Sequence, residues 1–173
     1  MLKILVTPPV TAEHKQLLET AGGPEAEFIY KNADEVDAAL MQEVDILFGN
    51  VAPALVAEAK KLRLLQLFSA GTDGYIPALP EGCALTNTTG AFGLAISEHM
   101  LGMLLMLQKR LHQYRDNQNK HVWQDMGNVT SIEGATVVVL GLGDIGGEFA
   151  RKVKALGAYT IGVRRTDANK PEY

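Results

Sequence analysis

Between Leu2 and Thr86 the chain repeats one pattern: a short apolar run, a turn signal, then a segment with helical spacing. Leu2–Thr7 (LKILVT) is too short for an amphipathic helix and reads as a buried strand. A helix is expected from about Ala12, with Thr11 as its N-cap and Gly22-Gly23 as its stop. Ala26–Tyr30 is the next strand. Asn32 with Glu35 three residues on resembles a capping box and predicts a helix through about Gln42. Asp45–Gly49 is a third strand, and Pro53 suits the first turn of a short helix. Leu64–Phe68 and a short stretch around Ala84–Thr86 complete five strands. Strands that alternate with helices over short loops pair in parallel and need cover on both faces. The expected fold class is therefore α/β, a flavodoxin-like doubly wound parallel sheet.

Composition removes several function classes. The chain has 173 residues, 47% of them hydrophobic and 21% charged, enough for a core of ordinary size. A formal charge of −4 without a basic cluster argues against nucleic-acid binding. Cys83 is the single cysteine, so neither an internal disulfide nor a cysteine-based zinc site can form. The apolar run Met100–Leu107 is far short of the ~20 residues a membrane span requires. The opening MLKILVTPPV lacks the apolar length of a signal peptide, so a cytoplasmic location and no membrane partner are expected.

After the five strands a long helix is predicted over about Phe92–Gln113. Its first half is apolar nearly all round, which predicts burial against more than one neighbour, with Met100, Met103 and Met106 as core filler. Its second half, KRLHQYRDNQNK, is polar and reads as exposed or as an arm. A second strand–helix–strand start follows: Ala135–Leu140, Ile145–Leu156 and Tyr159–Val163. The chain thus divides into 1–91, an inter-domain helix and arm over 92–134, and an incomplete Rossmann start over 135–173. Two strands and one helix leave an edge and an apolar face uncovered, so residues 135–173 are expected to be covered by another copy or poorly ordered.

The chemistry concentrates in Gly141, Gly143 and Gly146, a G-x-G-x-x-G between a Val-rich strand and an amphipathic helix. Gly141 permits the tight turn, Gly143 lets backbone approach a pyrophosphate, and Gly146 lets helix and strand approach each other. The amides around Asp144 and Ile145 then face the phosphates from a helix N-terminus, while the Asp144 carboxylate is free to point into water. At the end of the second strand, where an acidic residue would accept bonds from an adenine ribose, the chain has Arg164, Arg165 and Thr166. Two guanidinium groups and a hydroxyl suit a 2′-phosphate, so NADP is the expected cofactor with NAD as the alternative. Asp167 is the rival ribose partner, and both arginines could instead be plain surface residues.

Several segments together resemble the D-isomer-specific 2-hydroxyacid dehydrogenase family: "LLQLFSAGTDGY", "LTNTTGAFGLAISEHMLGMLLML", Trp123 and "IEGATVVVLGLGDIG". "GAFGLAISEH" and "IGVRRT" are closest to its glyoxylate/hydroxypyruvate-reductase-like branch. The resemblance implies that 1–91 is a substrate domain and that the chain is truncated within the cofactor domain. It implies that the amides of Ala70 and Gly71 hold the carboxylate of a small 2-keto or 2-hydroxy acid. A Ser-Ala-Gly turn after a parallel strand is in itself either an anion cradle or merely a turn. The resemblance also places the long helix and the segment to Trp123 in the arm of a homodimer, with a buried core tryptophan as the other reading.

The family's Arg, Glu and His come from segments beyond Tyr173, so no catalytic residue is assigned and negligible turnover is expected of this chain. His14, His99, His112 and His121 read as surface or packing residues, and Glu98 cannot pair with its neighbour His99 on a helix. The alternative function is a non-enzymatic flavodoxin-like oligomerisation or nucleotide-binding module. A receiver domain would want an acidic pair where Thr7-Pro8-Pro9 stands, and a methyltransferase an acidic ribose partner where Arg164 and Arg165 stand.

Overall fold

The computed structural model describes residues 1–166 and 171–173. They form two compact units, Met1–Thr89 and Gly90–Tyr173.

In the first unit, strands β1 (Leu2–Val6), β2 (Ala26–Tyr30), β3 (Ile46–Phe48), β4 (Leu64–Gln66) and β5 (Ala84–Thr86) form one parallel sheet. Its order, β2-β1-β3-β4-β5, is that of the flavodoxin-like doubly wound fold. Register lines up Ile29, Leu5, Leu47, Leu65 and Leu85 in one row across the sheet. That row joins Met41 of α2 (Ala38–Met41) and Val56 of α3 (Pro53–Ala57) in the core, where the three central leucines are fully buried. The opposite face carries α1 (Ala12–Gly22). Lys15 Nζ lies 4.5 Å from the centre of the Tyr30 ring, and the Tyr30 hydroxyl donates to Glu19 at 3.2 Å.

The helix expected over 32–42 is broken. Residues Ala33–Glu35 make one 3-10 turn, with Glu35 accepting from the Asn32 amide at 3.2 Å. Val36 then turns extended and is buried in the core, and Asp37 starts α2 anew by accepting from Leu40 N at 2.8 Å. Burying one valine outweighs one more turn of a short helix.

In the second unit α4 (Gly93–Gln108) and α5 (Leu111–Asn119) precede β6 (Thr136–Leu140), α6 (Asp144–Ala155) and β7 (Tyr159–Val163). Strands β6 and β7 pair in parallel. Phe149, Ala150 and Val153 of α6 form a core with Ile132, Val139 and Ala158, and Met100, Leu101, Leu104 and Leu105 of α4 lie against it.

Two expectations for the long helix fail. It stops at Gln108, because Arg110 takes a left-handed conformation (φ 55°) and its guanidinium donates to the Met126 carbonyl. Lys109 ties the same returning segment, donating to Thr130 O at 2.7 Å. Nor is α4 buried on several sides: Leu94, Met103, Met106 and Leu107 are exposed, because α6 covers only one stripe of it. On the sheet, α6 likewise covers one face, and Val138, Leu140, Ile161 and Val163 are exposed on the other strand positions.

Among the described residues no helix is long and apolar enough to cross a membrane, and no cluster of potential metal ligands occurs.

Candidate functional site

The fingerprint loop begins where β6 ends. Register pairs Leu140 with Val163, so both strands leave the sheet at the same level. Gly141 bridges them, its amide donating to Val163 O at 2.8 Å. Its φ of +93° is a conformation that side chains disfavour, which makes glycine a requirement of the turn.

Gly143 is the N-cap of α6, and its carbonyl accepts from Gly147 N at 2.8 Å. The amides of Asp144, Ile145 and Gly146 meet no acceptor among the described residues, as befits the first turn of a helix. They form the positive end of a 12-residue helix. A Cβ placed on Gly143 would meet no atom within 4 Å, leaving room above this turn. Gly146 is the opposite case: a Cβ there would lie 1.9 Å from the Gly141 carbonyl oxygen. The donor set and the clear approach at Gly143 fit a pyrophosphate held by backbone amides.

Asp144 has more company than its sequence position suggested. Although exposed, its carboxylate is turned onto Gly93, the first residue of α4, rather than simply outward. Arg164, Arg165 and Thr166 follow β7 directly and line a cleft of about 730 Å³ with Leu142, Gly162 and Tyr173. Arg164 is half-buried and Arg165 is exposed. Asp167, the rival ribose partner, lies outside the described residues.

Ala70 and Gly71 sit in the turn after β4, at the C-terminal edge of the five-stranded sheet, where open parallel sheets take their ligands. Both are exposed. The turn is held by residues that the sequence reading passed over. Asn50, two residues after β3, donates to Ser69 Oγ at 2.9 Å, and Asn87, directly after β5, donates to Ala70 O at 2.8 Å. An asparagine closely following each neighbouring strand was the available signal. The Asp73 carboxylate is also near, 4.0 Å from where a Cβ on Gly71 would stand, and partly offsets the positive character of the turn.

The histidines come together in no site. His14 caps α1, accepting from the Thr11 amide at 3.3 Å, in a reciprocal cap with the Thr11 side chain. His99 is exposed on α4, and His112 and His121 line a separate groove along the arm. That groove measures about 1380 Å³ and includes Met106, Leu111, Val122 and Trp123. Trp123 is 102% exposed, which excludes the reading of a buried core tryptophan.

Residues 101–173 match the model of the D-isomer specific 2-hydroxyacid dehydrogenase NAD binding domain. Over 170 residues the chain is 27% identical to D-3-phosphoglycerate dehydrogenase of Methanocaldococcus jannaschii, covering 94% of this chain and 32% of that protein. A D-isomer specific 2-hydroxyacid dehydrogenase family protein from Aeromonas salmonicida superposes with a TM-score of 0.82 at 30% identity, covering 98% of this chain and 55% of that one. The NAD complex of NAD-dependent formate dehydrogenase from Staphylococcus aureus shares the fold, with a TM-score of 0.78 at 16% identity over 99% of this chain and 59% of that one. The chain therefore spans about a third of that curated relative and just over half of the solved ones. From the flavodoxin-like sheet to the glycine turn, the chain is similar to the D-isomer-specific 2-hydroxyacid dehydrogenases, and its residues 101–173 match their NAD binding domain.

Proposed function

We propose that this chain supplies the substrate-binding sheet and the adenine-side cofactor site of a cytoplasmic, NADP-preferring enzyme. That enzyme reduces a small 2-keto acid such as glyoxylate or hydroxypyruvate, in the manner of the glyoxylate/hydroxypyruvate-reductase-like branch. The observation that carries the cofactor half is the common edge of β6 and β7. Because Leu140 pairs with Val163, the amides of Asp144 and Ile145 and the side chains of Arg164 and Arg165 leave the sheet together. A bound dinucleotide would supply the hydride. The chain's own residues would hold its pyrophosphate through the α6 amides and its ribose 2′-phosphate through Arg164, Arg165 and Thr166.

Ala70 and Gly71 would take the substrate carboxylate through their amides. No general acid is assigned beside that turn, and negligible turnover by this chain alone is part of the proposal. The apolar groove with its fully exposed Trp123 supports a homodimer in which a second copy covers the arm.

Titration with 2′,5′-ADP and with 5′-AMP tests the cofactor reading. The 2′-phosphate should tighten binding, and tighter binding of 5′-AMP would remove the NADP preference. An assay with NADPH and glyoxylate tests the rest. Turnover within tenfold of a full-length family member would refute the proposed inactivity.

A further inference from the structure

The backbone around Ala70 is satisfied on one side only. Every carbonyl from Phe68 to Thr72 accepts a hydrogen bond. Phe68 O takes one from Thr88 Oγ1 at 3.2 Å and Ser69 O one from the Thr88 amide at 3.2 Å. Ala70 O accepts from Asn87 Nδ2 at 2.8 Å, Gly71 O from Ser69 Oγ at 3.0 Å, and Thr72 O from the Tyr75 amide at 3.0 Å. The amides behave differently. That of Phe68 donates to Asn50 Oδ1 at 2.8 Å, but those of Ser69 through Gly74 meet no acceptor among the described residues.

A turn in water leaves donors and acceptors to solvent alike. Here Asn87 and Thr88 from the end of β5, with Ser69 and Tyr75 of the segment itself, engage the acceptors and leave the amides from Ser69 onward, so the positive ends of successive peptide dipoles remain available to an anion. We infer that Asn50 and Asn87 are positioning residues, which hold the carbonyls of this turn against the protein so that the Ala70 and Gly71 amides stay free for a substrate carboxylate. The inference rests on the reading of Ala70 and Gly71 as the carboxylate site.

Asn50 acts through Ser69. Its Nδ2 donates to the hydroxyl oxygen, which directs the hydroxyl proton to Gly71 O. Its Oδ1 takes the Phe68 amide, so the free donors begin at Ser69. Asn87 acts directly on Ala70 O, and its own side chain is fixed by the Thr89 amide, which donates to Oδ1 at 3.2 Å. Without either asparagine a carbonyl oxygen is free to turn outward beside the anion.

The test is a titration of the ¹⁵N-labelled chain with glyoxylate, following the amide signals of residues 69–74. The wild-type chain should show saturable shifts at Ala70 and Gly71. Asn50→Ala and Asn87→Ala should each weaken binding about fivefold or more, as expected for one lost hydrogen bond, while other amide signals keep their positions. Ser69→Ala should reproduce the part of the Asn50→Ala loss that runs through the hydroxyl, and the double variant should be no weaker than Asn50→Ala. That non-additivity marks one residue acting through the other, which a merely structural asparagine would not produce. Should an alanine variant fail to fold, Ser69→Ala and Asn87→Asp carry the same two expectations. Wild-type protein without shifts at Ala70 and Gly71 overturns the carboxylate site and the inference with it. Wild-type binding that persists within twofold in the folded variants overturns the inference alone.

Discussion

The carboxylate of Asp144 sits against Gly93 so closely that a Cβ on residue 93 would lie 2.4 Å from its Oδ1. These are the first residues of α6 and α4, so one acidic side chain serves the positive ends of two helices. Gly93→Ala must push that carboxylate aside. It should destabilise the second unit by ~1–3 kcal/mol, the range for overpacking. Adding Asp144→Ala should recover part of the loss, because the two residues share one space. Thermal melts of the two single variants and the double variant check this.

Gly143 and Gly146 separate a ligand role from a packing role. Gly143→Ala meets no atom within 4 Å and should change stability by less than ~1 kcal/mol. It should still weaken nucleotide binding about tenfold or more, by placing a methyl group on the proposed approach of a pyrophosphate. Gly146→Ala puts its methyl 1.9 Å from a backbone carbonyl that no rotamer can move, and should lower the melting temperature outright. Melting curves combined with 2′,5′-ADP titration distinguish the two outcomes.

Arg165 is exposed at the end of β7 and tests the ribose preference with little risk to the fold. Arg165→Ala should cost 2′,5′-ADP about tenfold in affinity, the magnitude of a charge-assisted hydrogen bond, and leave 5′-AMP unchanged. Calorimetric titration of both ligands measures the difference directly.

Burial raises the pKa of the Cys83 thiol above its ordinary value, with a weaker opposing effect from the Leu65 backbone. Less thiolate is then present at neutral pH, so alkylation should be slower than for a free cysteine and accelerate as pH rises. Mass spectrometry after timed iodoacetamide treatment at several pH values gives the profile. Modification as fast as that of a small free thiol at pH 8 would contradict it.

Hydrogen bonds from Arg151, then from Lys152, hold the Glu148 carboxyl below its usual value. A carboxylate whose folded-state pKa is depressed stabilises the protein above its unfolded pKa, and that contribution is lost as pH falls through the folded value. Melting temperature should therefore decline on acidification below the ordinary carboxylate range. Glu148→Gln should make that decline shallower, as a pH series of melts of both proteins would show.

Strand positions were legible in the sequence because each strand is a short apolar run between turn residues. Ala26–Tyr30, Ala84–Thr86 and Tyr159–Val163 coincide with the runs that announce them. The two broken helices were not, because tertiary contacts decide them. Val36 leaves the helical path to enter the core beside Leu5 and Leu47, although Asp37, a favoured N-cap residue, was a visible restart signal. Arg110 adopts a left-handed conformation whose anchor, the Met126 carbonyl, lies 16 residues away. The turn at Ala70 and Gly71 was legible as a loop, but its one-sided hydrogen bonding depends on three strand ends meeting, which no local window contains.

Trp123 is the only tryptophan of the chain and stands wholly in solvent. Its indole emission should accordingly be red-shifted and readily quenched by iodide. Any event that covers the arm must shift that emission to the blue and shield it from quencher, so the protein carries a built-in optical gauge of the exposure of its arm.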